Sequence, residues 1–162
     1  MPDTRADTEA EVEAPPGADP ASYFALLNEV AIVEQLGRAL LEARLPPPLI
    51  APHFGVLNHL VRVRDGRTPL ELAVAFQVPK TTMTHTLAGL VGAGLVEARP
   101  NPEDGRSKRM WLTESGRALR AGTVAALGPD LAAVARLFPP ERVAALLPHL
   151  VDLRRILDAA RD

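Results

Sequence analysis

Apolar residues recur at helical spacing at both ends of the chain, around a more polar and more punctuated middle. Tyr23, Leu26, Leu27, Val30, Val33, Leu36, Leu40 and Leu41 fall mostly three and four positions apart, which puts them on one stripe of a helix. Asp19-Pro20 reads as a capping side chain followed by proline at the first helical position. The pattern predicts a helix from there to about Arg44, stopped by Pro46-Pro47-Pro48. A second helix is expected over Ala51–Val63, ended by Asp65-Gly66. Thr68-Pro69-Leu70-Glu71 has the arrangement in which a hydroxyl and a carboxylate satisfy each other's backbone N–H groups. It opens a short third helix reaching Phe76. Gln77-Val78 then reads as a turn and Pro79–Gly92 as a fourth helix, with Gly94 placed to end it. Leu95–Arg99 and Lys108–Leu112 read as two short strands, and Pro100–Gly105 as the loop between them. Leu119, Val124, Leu127, Leu131, Val134 and Phe138 mark a fifth helix over Thr113–Leu137, kinked at Pro129. Val143, Leu146, Leu147, Leu150, Leu153, Ile156 and Leu157 mark a sixth, which has to accommodate Pro148 with a bend.

The order helix, helix, helix–turn–helix, hairpin, helix, helix predicts a mainly α fold with a small β-hairpin wing. Residues 50–112 form the winged helix–turn–helix, flanked by an N-terminal helix over 19–49 and C-terminal helices over 113–162. Residues 1–18, rich in Ala, Glu, Asp, Thr and Pro, are expected to be a disordered acidic tail. A three-helix lobe is too small to bury every apolar stripe of the flanking helices. The surplus would be an exposed patch unless a second copy covers it, so these helices are expected to build an isologous homodimer.

Composition narrows the chemistry. The 162 residues include no cysteine, which excludes disulfides, thiolate metal sites and thiol catalysis. No apolar stretch approaches the ~20 residues of a membrane-spanning helix, and the acidic start does not resemble a secretory leader. A cytoplasmic protein is expected. The net charge of −2 hides a strong regional contrast. Residues 1–20 carry six acids and one base, whereas residues 80–120 carry seven bases and four acids. A polyanion responds to that local positive segment rather than to the total.

The positive segment also carries a recognisable pattern. Residues 95–116 read LVEARPNPEDGRSKRMWLTESG. Gly94-Leu95-Val96, Arg99-Pro100, Asp104-Gly105-Arg106, Lys108, Leu112-Thr113 and Gly116 together resemble the wing of the MarR family of bacterial transcriptional regulators. The upstream TPLELAVAFQVPKTTMTHTLAGLVGAGLV is similar to that family's helix–turn–helix. The similarity covers roughly residues 50–120 in motif detail, and the flanking helices match in layout. The resemblance implies a dimeric, sequence-specific regulator, a repressor, that binds double-stranded DNA at a pseudo-palindromic operator.

A hairpin ending in Asp-Gly-Arg projects a guanidinium, and the narrow, electronegative minor groove accepts one. Arg106 is the residue expected there. Asp104 is expected to orient a neighbouring guanidinium through a charge-assisted pair; the resemblance implies the same roles. Arg99, Lys108 and Arg109 are expected on phosphates, which position a protein without reading sequence. On the fourth helix, Met83, Leu87 and Leu90 share the inward face, leaving Thr81, Thr82 and His85 outward as expected base readers in the major groove. Lys80 and Thr84 flank them as phosphate contacts. The threonine methyls suit thymine and favour an A·T-leaning half-site. This face lacks arginine, the usual reader of guanine, and Pro79 stands where a polar cap often opens the helix.

The resemblance further implies a cleft for a small aromatic or anionic effector near helices one, two and five, which Tyr23, Phe24, His53 and Phe54 could line. The four histidines show no zinc-binding spacing, and neither a nucleophile–base arrangement nor a phosphate-cradling glycine loop is present. No cofactor, metal or enzymatic activity is expected. The alternative is a winged-helix protein-interaction module without specific DNA binding.

Overall fold

The computed structural model describes residues 15–160. Residues 1–14 of the expected tail lie outside this range. Residues 15–18, expected to be disordered, instead form a turn closed by the Ala18 N–H on the Pro15 carbonyl at 3.0 Å.

The chain divides into two compact units, one ending at Gly37 and one beginning at Arg38. The first contains most of α1 (Pro20–Glu42). Asp19 caps it as expected: its carboxylate accepts the backbone N–H groups of Ala21 and Ser22 and the Ser22 hydroxyl. That hydroxyl bond and the amides hold the Asp19 carboxyl below its usual range. No α1 residue is buried. Tyr23, Phe24, Leu27, Val33 and Leu36 are all exposed.

The second unit holds the remaining elements: α2 (Ala51–Arg62), α3 (Pro69–Phe76), α4 (Lys80–Gly92), β1 (Val96–Asn101), β2 (Asp104–Leu112), α5 (Glu114–Ala126), α6 (Gly128–Leu137) and α7 (Pro140–Ala159). Its core joins Val56, Leu57 and Leu60 of α2 to Leu72 and Ala73 of α3 and to Met83, Leu87 and Leu90 of α4. Leu95, Val96, Met110 and Leu112 close it from the base of the hairpin. The Thr68–Glu71 reciprocal cap forms as expected, with Glu71 also paired to Arg67. The bond from the Thr68 backbone N–H is the main cause holding the Glu71 carboxyl down at about 2. Gln77 adopts the left-handed conformation at φ 53° and turns α3 into α4.

Two expectations about element limits are corrected. The fifth helix is not continuous to Leu137. It breaks at Leu127, where Gly128-Pro129 starts α6, because proline lacks the N–H and its ring opposes the preceding turn. Arg44 then holds the first turn of α6 through a two-pronged pair, Nε and Nη2 each 3.0 Å from an Asp130 oxygen. α7, by contrast, continues as one element through Pro148. The hairpin is also longer than expected. Pro100 and Asn101 lie in β1, and Asp104–Ser107 lie in β2, leaving only Pro102-Glu103 between the strands. Pro100 is tolerated because β1 is an edge strand, while the other side of β2 bridges Arg67 through Met110. Among the described residues no single helix is long and apolar enough to cross a membrane.

Candidate nucleic-acid interface

α4 presents two chemically distinct sides. Met83, Leu87 and Leu90 are buried, as the spacing predicts. Lys80, Thr81, Thr82, Thr84 and His85 are exposed. The Thr84 hydroxyl donates to the Lys80 carbonyl at 2.8 Å, so a phosphate contact from this side chain has to displace that bond. Lys80, Thr81, Thr84, His85 and Ala88 outline a shallow hollow on the outer face.

A cavity of about 540 Å³ adjoins this hollow and shares Thr81 and His85 with it. Ile50, Pro52 and His53 line it from the start of α2, Phe76 and Val78 from the α3–α4 turn, and Thr81, Thr82, Met83, His85 and Thr86 from α4. His53 Nδ1 accepts the Ile50 backbone N–H at 3.2 Å. Its opposite edge fills the notch left by Gly89, where a Cβ would lie 2.7 Å from Nε2. Burial, and secondarily the nearby His85, hold the His53 imidazole below its usual pKa. Phe54, expected beside His53, is buried and does not line this cavity. Tyr23 and Phe24 lie in the first unit, where Tyr23 borders a hollow with Asp19, Ser22 and Leu26.

The basic side chains of the hairpin fall into two groups. Arg99 pairs with Glu97 and sits over the Trp111 ring, 5.3 Å from its centroid. Arg109 is held by Glu103 at 2.7 Å and donates from Nε to the Asn101 side-chain oxygen at 2.9 Å. Its side chain is only 15% exposed. Among the described residues, Lys80, Arg106 and Lys108 make no ion pair. Asp104 does not meet a guanidinium in this structure. Its carboxylate accepts the Arg106 backbone N–H at 3.0 Å, and the hairpin carboxylates that hold arginines are Glu97, on Arg99, and Glu103, on Arg109.

Three partners escaped the sequence reading: Glu97, Glu103 and Asn101. Glu97 and Arg99 are two apart on a strand, so they share a face, and that spacing is a usable signal. The other two depend on how the strands pair. The base of the hairpin is fixed by Asp65, which accepts the Leu112 N–H at 3.0 Å and pairs with Arg117 of α5. Thr113 caps α5 through the Gly116 N–H and donates to the Gly94 carbonyl.

An exposed polar helix presented by a helix–turn–helix, beside a hairpin bearing unpaired cations, defines a winged helix–turn–helix protein. The chain belongs to the MarR family of transcription regulators. The family's sequence pattern matches residues 46–107. Wild-type MarR from E. coli, in its apo form, is 30% identical with a TM-score of 0.68, covering 79% of this chain and 96% of that one. A mutant of E. coli MarR complexed with operator DNA is 29% identical with a TM-score of 0.67, covering 84% of this chain and 99% of that one. A MarR transcriptional regulator from Methanosarcina mazei Go1, at 20% identity, shares the fold with a TM-score of 0.71 over 83% of this chain and 97% of that one.

Proposed function

We propose that this chain is a homodimeric repressor that binds a pseudo-palindromic DNA operator, with α4 in the major groove and the hairpin over the adjacent minor groove. The carrying observation is that Lys80, Arg106 and Lys108, on these two elements, make no ion pair among the described residues, while the neighbouring Arg99 and Arg109 are neutralised internally. Unpaired cations exchange bound counterions for phosphates and supply most of the affinity. Arg106 is assigned to the minor groove, Lys80 and Lys108 to phosphates, and Thr81, Thr82 and His85 to base edges. Arg99 and Arg109 act within the hairpin and reach phosphate only by releasing Glu97 and Glu103. The relative bound to operator DNA supports this reading.

The apolar stripes on α1 and on α6 and α7, including Leu36, Val33, Leu131, Val134 and Ile156, are exposed in the single chain, and a second copy is proposed to cover them. Half-sites then fall about one helical turn apart. The cavity beside α4 is proposed to admit a small aromatic or anionic effector, its apolar walls facing a ring and its histidines supplying polar atoms. Such a molecule relieves repression only by binding one arrangement of the two α4 helices better than another. The protein acts in the cytoplasm as a binding protein rather than an enzyme.

Footprinting across the region upstream of its own gene, with and without candidate small molecules, tests this reading. Protection of two symmetric half-sites is expected. A folded monomer that ignores duplex DNA at low salt would overturn it and leave the protein-interaction module.

A further inference from the structure

Asn101 stands out in the hairpin: it is only 7% exposed on an otherwise solvated projection. The strand register changes beside it. Pro100 pairs with Lys108, and the next pair is Asn101 with Asp104. One step along β1 therefore spans four along β2, and Gly105, Arg106 and Ser107 form an excursion with no partner across the ladder. The side chain of Asn101 bridges this excursion. Its Nδ2 donates to Ser107 Oγ at 2.8 Å. Its Oδ1 accepts the Glu103 backbone N–H at 3.2 Å and Arg109 Nε at 2.9 Å. Ser107 Oγ in turn donates to the Asp104 carbonyl at 3.1 Å.

These bonds have two consequences. The excursion is pinned at Ser107, immediately after Arg106, so the exposed guanidinium of Arg106 leaves the hairpin from a fixed point. Asn101 Oδ1 also accepts from Arg109, and Glu103 neutralises that guanidinium, so Arg109 is withdrawn. A buried amide whose donor and acceptor are both satisfied rigidifies its surroundings, and a half-satisfied one does not. We infer that Asn101 is a positioning residue for DNA binding: it selects Arg106, and not Arg109, as the projecting cation of the wing. This rests on the reading of Arg106 as a DNA contact.

The test is a double-mutant cycle on the full-length protein. Wild type, Asn101→Leu, Arg106→Ala and the double variant are titrated against a fluorescein-labelled duplex covering the region upstream of the protein's gene. Asn101→Leu keeps the buried volume and removes all three bonds. It is expected to weaken binding about five- to tenfold alone, roughly the entropic cost of ordering one freed backbone residue of the tip on DNA, and to add little in the Arg106→Ala background. Unchanged Trp111 emission shows that the hairpin base is intact. Ser107→Ala, which removes one bond of the network, is expected to give a smaller loss that also disappears in that background. The same fold-loss from Asn101→Leu with and without Arg106, or no loss at all, overturns the inference. An Arg106→Ala protein that binds as tightly as wild type overturns the reading of Arg106 itself, and this inference with it.

Discussion

Gly66 lies against the indole of Trp111 so closely that a Cβ at this position would stand 2.5 Å from Cζ2. Gly66 also has φ +71°, a conformation that costs other residues about 1–2 kcal/mol. Its N–H donates to the Met110 carbonyl, so the turn after α2 is bonded to the strand that carries the wing. Gly66→Ala is expected to destabilise the protein by roughly 2–4 kcal/mol, combining backbone strain with overpacking. Urea unfolding followed by the emission of Trp111, the single tryptophan, measures it. A change below about 0.5 kcal/mol, the scale of a neutral surface substitution, would show that the contact relaxes freely.

Arg106 and Arg109 are three residues apart and are expected to behave differently. Arg106→Ala removes an unpaired cation, so affinity for any duplex falls and the slope of log affinity against log salt drops by about one. Arg109→Ala removes a guanidinium already neutralised by Glu103, so the slope stays near that of wild type. Fluorescence anisotropy at several salt concentrations separates the two. Equal slope changes would mean that the Arg109–Glu103 pair opens on DNA.

Thr82 and His85 are exposed on α4, and the Thr82 carbonyl accepts the Thr86 hydroxyl at 3.1 Å, which leaves the Thr82 side chain outside that bond. Alanine at either position is expected to erode discrimination between operator and unrelated duplex by about 1–3 kcal/mol per lost base contact. Affinity for unrelated duplex should hardly change. Competition binding with both duplexes reads this directly, and unaltered discrimination would move the base-reading face elsewhere on α4.

Much of this arrangement is legible in the chain because local chemistry and tertiary demand agree. Thr68 and Glu71 announce the start of α3, Met83, Leu87 and Leu90 announce the buried face of α4, and Gly94, at φ +68°, ends that helix as expected. The failures arise where local signals compete with pairing. Pro100 and Pro102 read as loop residues, yet an edge strand accommodates Pro100, and the loop shrinks to two residues. Gly128-Pro129 reads as a kink and is a full break. Within the site, charge alone places Arg99, Arg106 and Arg109 in one class. Their separation depends on Glu97, Glu103 and Asn101, and for the last two on a strand register that periodicity does not specify.

His53 gives a pH dependence whose sign follows from its surroundings. The neutral ring accepts the Ile50 N–H, and burial, with the nearby His85, keeps its folded pKa below the usual value. Acid therefore protonates the unfolded chain first, starting near the ordinary histidine value of about 6.5. Stability is fully present above that pH and is lost as pH falls toward the folded pKa. His59, whose pKa is lowered by burial and then by Arg67 and Arg62, contributes in the same direction. The steepest loss attributable to one histidine is about 1.4 kcal/mol per pH unit. His53→Asn supplies an acceptor that does not titrate, so the difference in unfolding free energy between pH 7 and pH 5 is expected to shrink without vanishing, the remainder coming from His59. Chemical denaturation at a series of pH values measures both, and a pH dependence identical in the two proteins would show that the His53 proton is not linked to folding.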